Sequence, residues 1–89
     1  MTDEPDPIRI PIGEELDLHA FAARDVRSVV EEYVTAAAEA GIELVRLVHG
    51  RGRGVQRGIV QATLDQHPRV VEFWDDPSSH LGATFARLK

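Results

Sequence analysis

The chain has 89 residues, 43% hydrophobic and 28% charged, enough for one compact core and too few for two. With no cysteine, disulfides, thiolate metal sites and a Cys nucleophile are excluded. The formal net charge of −5 at first argues against a nucleic-acid partner, but its distribution argues for one. Residues 44–64 carry Arg46, Arg51, Arg53 and Arg57 and no acid, while the segments on either side are acidic. Screening limits distant charges to about 8–10 Å, so a local basic patch attracts phosphate on a negative molecule.

Residues 1–7 hold three acids and two prolines and read as a flexible tail. Ile8-Arg9-Ile10-Pro11-Ile12 alternates like a strand, but its prolines restrict it to an edge or an extended arm. Residues 1–13 are therefore expected to form an acidic tail and arm, and residues 14–89 the domain. The acidic start lacks the apolar run of a secretory signal, and no stretch approaches the roughly 18 apolar residues of a membrane span. The expected location is the cytoplasm, with no membrane partner.

Glu15 to Ala20 alternates strictly and predicts a short strand, with Leu16 and Leu18 on one face and Asp17 and His19 on the other. Val26, Val29, Val30, Tyr33, Val34 and Ala37 form one apolar stripe of a helix over 23–40, stopped at Gly41. Leu44 to His49 predicts a second strand, more continuously apolar than the first, as a central strand should be. The glycines of Gly50-Arg51-Gly52-Arg53-Gly54 exclude a regular element. A second helix follows over 55–67 with Ile59, Val60, Thr63 and Leu64 inward, then a strand over 70–74, a loop over 75–81 and a last strand over 83–88. The expected fold is a two-layer α/β sandwich in the order β-α-β-α-β-β, with two helices on a mixed four-stranded sheet.

Asp17 and His19 fall near the C-terminal end of the first strand, where open α/β sheets bind ligands. A carboxylate beside an imidazole fixes its tautomer and suits it to general acid–base work. His49 ends the second strand at the same edge, and parallel neighbouring strands would bring it close to His19. The 50–54 loop leads into a helix N-terminus, so its backbone N–H groups and arginines favour an anion. It is no Walker loop, because the Gly-Lys-Ser/Thr ending is missing. Asp17, His19 and His49 could together hold one ion, but no ligand spacing singles out a metal, and no cofactor is indicated. Trp74 is a candidate for stacking on a base, although packing explains it as well.

Three blocks in this order resemble the small MutS-related (Smr) domain family. Leu16-Asp17-Leu18-His19 is similar to its Leu-Asp-x-His motif, His49-Gly50-Arg51-Gly52 to its His-Gly-x-Gly motif, and Gly82-Ala83-Thr84 to the end of its Gly-rich block. Two departures are Ala20, where the family usually has Gly, and Leu81, where its last block is Gly-rich. The resemblance covers residues 16–88 and implies a fold like the C-terminal domain of bacterial translation initiation factor 3. It also implies nucleic-acid binding and, in several members, endonuclease activity on DNA or RNA. Carried over by motif, Asp17 and His19 would act in cleavage, while His49 and the glycines and arginine after it would act in binding or activity.

The expectation is thus a nuclease-like domain. Asp17, His19 and His49 are its candidate catalytic residues, and Gly50, Arg51, Gly52, Arg53, Arg57, Gly82 and Thr84 its nucleic-acid contacts. The alternative on the same fold is a non-catalytic module that binds nucleic acid, a ribosome or another protein.

Overall fold

The structure, a computed structural model, describes residues 14–50 and 54–89. The arm expected at Ile8–Ile12 and the residues Arg51, Gly52 and Arg53 lie outside that range. In chain order the elements are β1 (Glu15–Asp17), α1 (Ala23–Glu39), β2 (Leu44–Val48), α2 (Val55–Gln66), β3 (Val70–Asp75), a short 3-10 turn (Pro77–Ser79) and β4 (Ala83–Leu88).

The sheet order is β1-β2-β4-β3. β1 runs parallel to β2, with Asp17 opposite Val48. β4 is antiparallel to both β2 and β3 and lies between them. The first βαβ unit therefore joins adjacent strands, and the second is split by the last strand. Both helices cover one face, as the two-layer expectation required. Val26, Val30, Val34 and Ala37 of α1 and Val60 and Leu64 of α2 meet Val45, Leu47, Ala86 and Leu88 in one buried cluster. Burying side chains of this size stabilises the fold by about 1.5–3 kcal/mol each. Asp25 in the first turn of α1 complements the helix dipole. Among the described residues no helix is long and apolar enough to cross a membrane.

The other sheet face carries no helix. Across it run Glu15, Arg46, Phe85 and Trp74, opposite one another on neighbouring strands. Arg46 reaches Asp76 at 2.8 Å and Glu15 at 3.2 Å. The rings of Trp74 and Phe85 lie 5.9 Å apart, with the guanidinium of Arg87 5.7 Å above the indole. Trp74 thus already has an aromatic and a cationic partner within the fold.

The first strand is shorter than its alternation predicts. It stops at Asp17 because the Asp17 carboxylate turns back to accept the backbone N–H of His19 at 2.9 Å. Phe21 then closes a tight turn onto the carbonyl of Leu18 at 3.1 Å. Local side-chain acceptance of this kind competes with a strand ladder. α2 ends at Gln66 rather than His67, whose backbone is extended.

Candidate functional site

The turn after β1 builds the first half of the site. Oδ1 of Asp17 accepts from the backbone N–H of His19 and lies 2.8 Å from its ring Nδ1. An ionised carboxylate can only accept, so the proton of the neutral ring sits on Nδ1 and Nε2 keeps its lone pair. The backbone N–H of His19 and then its ring hold the Asp17 carboxyl below the usual carboxylate range. Both side chains are nearly two-thirds exposed. The His19 ring lies against Gly50, which has φ +82. A Cβ at position 50 would stand 3.1 Å from Nε2 of His19 and would need a backbone conformation that L side chains rarely adopt. The left-handed backbone favours glycine there, and any larger residue would also have to displace the His19 ring by a few tenths of an ångström.

His49 is placed differently from the expectation. It continues the inward parity of Val45 and Leu47 and is only 4% exposed. Nδ1 lies 3.0 Å from the carbonyl of Gly50, and Nε2 lies 2.9 Å from Oγ1 of Thr84. The carbonyl accepts only, so Nδ1–H donates to it and the Thr84 hydroxyl donates to Nε2. Gln61 of α2 continues the chain, giving one amide proton to Thr84 Oγ1 at 3.1 Å and the other to Asp75 at 3.0 Å. Asp75 takes two parallel bonds from Arg57, each 2.8 Å. Burial pushes the His49 pKa down, and the Arg57 charge pushes the same way against the opposing pull of the Gly50 carbonyl and Asp75.

Several expected contacts are therefore reassigned. His49 has no free nitrogen for acid–base work, and it orders the backbone of Gly50. Thr84 is fully buried and partners His49, so it faces no ligand. The carbonyl of Gly82 accepts from the N–H groups of both His49 and Gly50, and its own N–H donates to Ser79. Gly82 thus clamps the loop from the β4 side. Arg46 and Arg57 lie in a segment without acids, yet Arg46 is paired in space with Asp76 and Arg57 with Asp75. β1 and β2 are adjacent and parallel, and they bring His19 beside Gly50. The shared surface of His19 and His49 expected from that pairing does not form, because the His49 ring is buried against Thr84 while His19 is exposed. Among the described residues no group of three or more His, Asp and Glu side chains is placed to hold a metal ion.

Sequence reading missed Gln61, Asp75, Asp76 and Ser79. Asp76 is buried and accepts from the N–H and hydroxyl of Ser78 and from Arg46. Ser79 Oγ accepts from the N–H groups of Gly82 and Ala83. Polar residues inside an Asp-Asp-Pro-Ser-Ser run were the available signal for a built loop.

The sequence profile of the Smr domain matches residues 16–89. The chain belongs to the Smr domain family. It is 39% identical over 79 residues to endonuclease MutS2 of Pelotomaculum thermopropionicum and 36% identical over 77 residues to endonuclease MutS2 of Shouchella clausii. Those alignments cover 86% and 84% of this chain but 10% of each relative, so this Smr chain spans about a tenth of their length. Among solved structures it superposes on the Smr domain of Thermus thermophilus MutS2 with a TM-score of 0.79 at 28% identity, covering 86% of this chain and 99% of that one. YdaL, a stand-alone small MutS-related protein from Escherichia coli, shares the fold with a TM-score of 0.78 at 23% identity, over 85% of this chain and 64% of YdaL.

The buried neutral His49 has a consequence for stability. Its folded pKa lies below the unfolded value near 6.5, so below that pH the unfolded chain binds more protons than the folded one. Its contribution is fully present above pH ~6.5 and is lost as pH falls through the folded value. The depressed carboxyls of Asp75 and Asp76 add a second loss below about pH 3.9. Thermal denaturation followed by circular dichroism should show the midpoint falling from pH ~7 to ~5. A His49→Gln variant should be less stable at pH 7 but markedly flatter across that window.

Proposed function

We propose that this Smr domain binds nucleic acid and cleaves its phosphodiester backbone, with His19 as general base. The observation that carries the reading is the Asp17–His19 pair, an exposed imidazole whose Nδ1 is held by a carboxylate and whose Nε2 is left to react. The endonuclease names of the MutS2 relatives support it, as does the cluster of Arg51 and Arg53 in the segment that begins at Gly50. Nε2 takes a proton from water or a ribose 2′-hydroxyl as that oxygen attacks phosphorus. The new P–O bond forms as the bond to the leaving oxygen breaks, and the leaving alkoxide takes up a proton from the imidazolium. Asp17 balances the charge that the ring acquires in between. The positive charges of Arg51 and Arg53 attract and neutralise backbone phosphate. Arg57, already neutralised by Asp75, contributes little.

Cleavage of single-stranded RNA and of supercoiled plasmid by the purified chain tests the chemistry. His19→Ala should abolish the activity, and Asp17→Asn should lower it about 10²-fold or more, since a positioned acid–base group contributes 10²–10⁴-fold. Binding that persists with no cleavage in the wild type would assign the chain to the non-catalytic class of module instead.

The arginines are tested by salt. Each phosphate contact contributes a slope of about −0.7 to −0.9 in log K against log salt. The double variant Arg51→Ala/Arg53→Ala should flatten the slope by about one to two units, and Arg57→Ala by much less. An unchanged slope in the double variant would make the segment ordinary solvated surface.

A further inference from the structure

Two large apolar side chains lie unburied on the segments that converge on Gly50, the turn after β1 and the loop before β4. Phe21 is 37% exposed and Leu81 is 52% exposed. Neither is a loose surface residue. Phe21 is pinned on both sides of its backbone, its N–H on the carbonyl of Leu18 and its carbonyl on Nε2 of Gln56, both at 3.1 Å. Leu81 has φ 71, and His80 before it has φ 55. Two successive residues other than glycine in the left-handed region are strained. The Asp76 and Ser79 hydrogen bonds hold the loop in that shape. Leu81 directly precedes Gly82, whose carbonyl anchors the N–H of Gly50 at 2.9 Å, and Gly50 is the residue on which the His19 ring rests.

The fold itself gains little from Leu81, which buries less than half its surface in a conformation that glycine would adopt without strain. Strain concentrated at a candidate site is a reason to look for a ligand contact. The chemistry of the neighbourhood defines that contact: a polar His19 on the same turn as the exposed Phe21, with the exposed Leu81 on the loop that anchors Gly50. We propose that Phe21 and Leu81 contact unstacked bases next to a phosphate held at His19, which makes single-stranded nucleic acid the substrate class. A duplex hides its base faces in the stack, and an apolar side chain reaches them only by unstacking a step at a cost of about a few kcal/mol. A single strand offers a base face beside every phosphate, and aromatic side chains take such faces with little regard to sequence. This inference rests on the reading of His19 as a phosphodiester site.

The test is fluorescence anisotropy with the full chain and labelled oligonucleotides of about 12 nucleotides: single-stranded RNA, single-stranded DNA, the blunt duplex, and an abasic strand of equal charge. Wild-type protein should bind at least one single strand about tenfold or more tighter than both the duplex and the abasic strand. Phe21→Ala should weaken that binding about 5- to 150-fold, and Phe21→Trp should retain it. Leu81→Gly should weaken it too while raising the thermal midpoint, because the strain is removed; a purely structural residue would move both the other way or together. Duplex and abasic affinities should stay unchanged in all variants. Equal affinity for duplex and single strand, equal losses on the abasic strand, or a lowered midpoint in Leu81→Gly would overturn the inference and leave the phosphodiester reading standing. No binding of any oligonucleotide would overturn both.

Discussion

A buried ring nitrogen left without a partner costs on the order of 1–3 kcal/mol, and His49 buries two. Nδ1 is satisfied by the carbonyl of Gly50, and Nε2 by the hydroxyl of Thr84. That requirement organises the C-terminal edge of the sheet. Thr84 brings in β4, Gln61 brings in α2, and Asp75 with Arg57 ties the end of β3 back to α2. Gly82 closes the arrangement by accepting from the two N–H groups at 49 and 50. The result is one backbone position, Gly50, held from two sides, and the His19 ring rests on it. A network in which every donor and acceptor is matched rigidifies its surroundings, whereas a half-matched one would be worse than an apolar core.

The two histidines of the family motifs therefore divide the work. His49 is buried and neutral, and acts through the backbone it orders. His19 is exposed, oriented by Asp17, and has a nitrogen to spare. The charges divide in the same way. Arg46 and Arg57 hold Asp76 and Asp75 and belong to the scaffold, which is why the proposed phosphate contacts are assigned to Arg51 and Arg53. The acidic net charge of the chain does not contradict this, because screening limits the reach of distant charges to about 8–10 Å.

Much of this architecture was legible in the residues. The apolar stripe at Val26, Val30, Val34 and Ala37, the continuous run of Leu44–Val48 and the alternation around Leu16 each depend on local periodicity, and local periodicity is what a sequence displays. The i, i+2 spacing of Asp17 and His19 showed them as a pair, and the ends of two parallel strands put the His49-Gly50 segment at the same sheet edge. The misreadings are of interactions distant in sequence. The pairing of Arg46 with Asp76, or of Arg57 with Asp75, cannot be seen from a segment that contains no acid. β1 was overextended because an Asx-type turn and a strand share the same alternation until the carboxylate finds its backbone partner. The orientation of His49 was readable: positions 45, 47 and 49 share one strand face, and two of them are core.

Ring nitrogens can be observed directly, and they test the division of labour between His19 and His49 more closely than any loss of function. Long-range 1H–15N correlation spectra of the four histidines should be recorded near neutral pH, with and without a single-stranded oligonucleotide. The account predicts His49 as a neutral ring protonated on Nδ1 and unmoved by the oligonucleotide, while the Nε2 resonance of His19 shifts as the oligonucleotide is added. A His49 ring that shifts with the oligonucleotide, beside a His19 ring that does not, would contradict it.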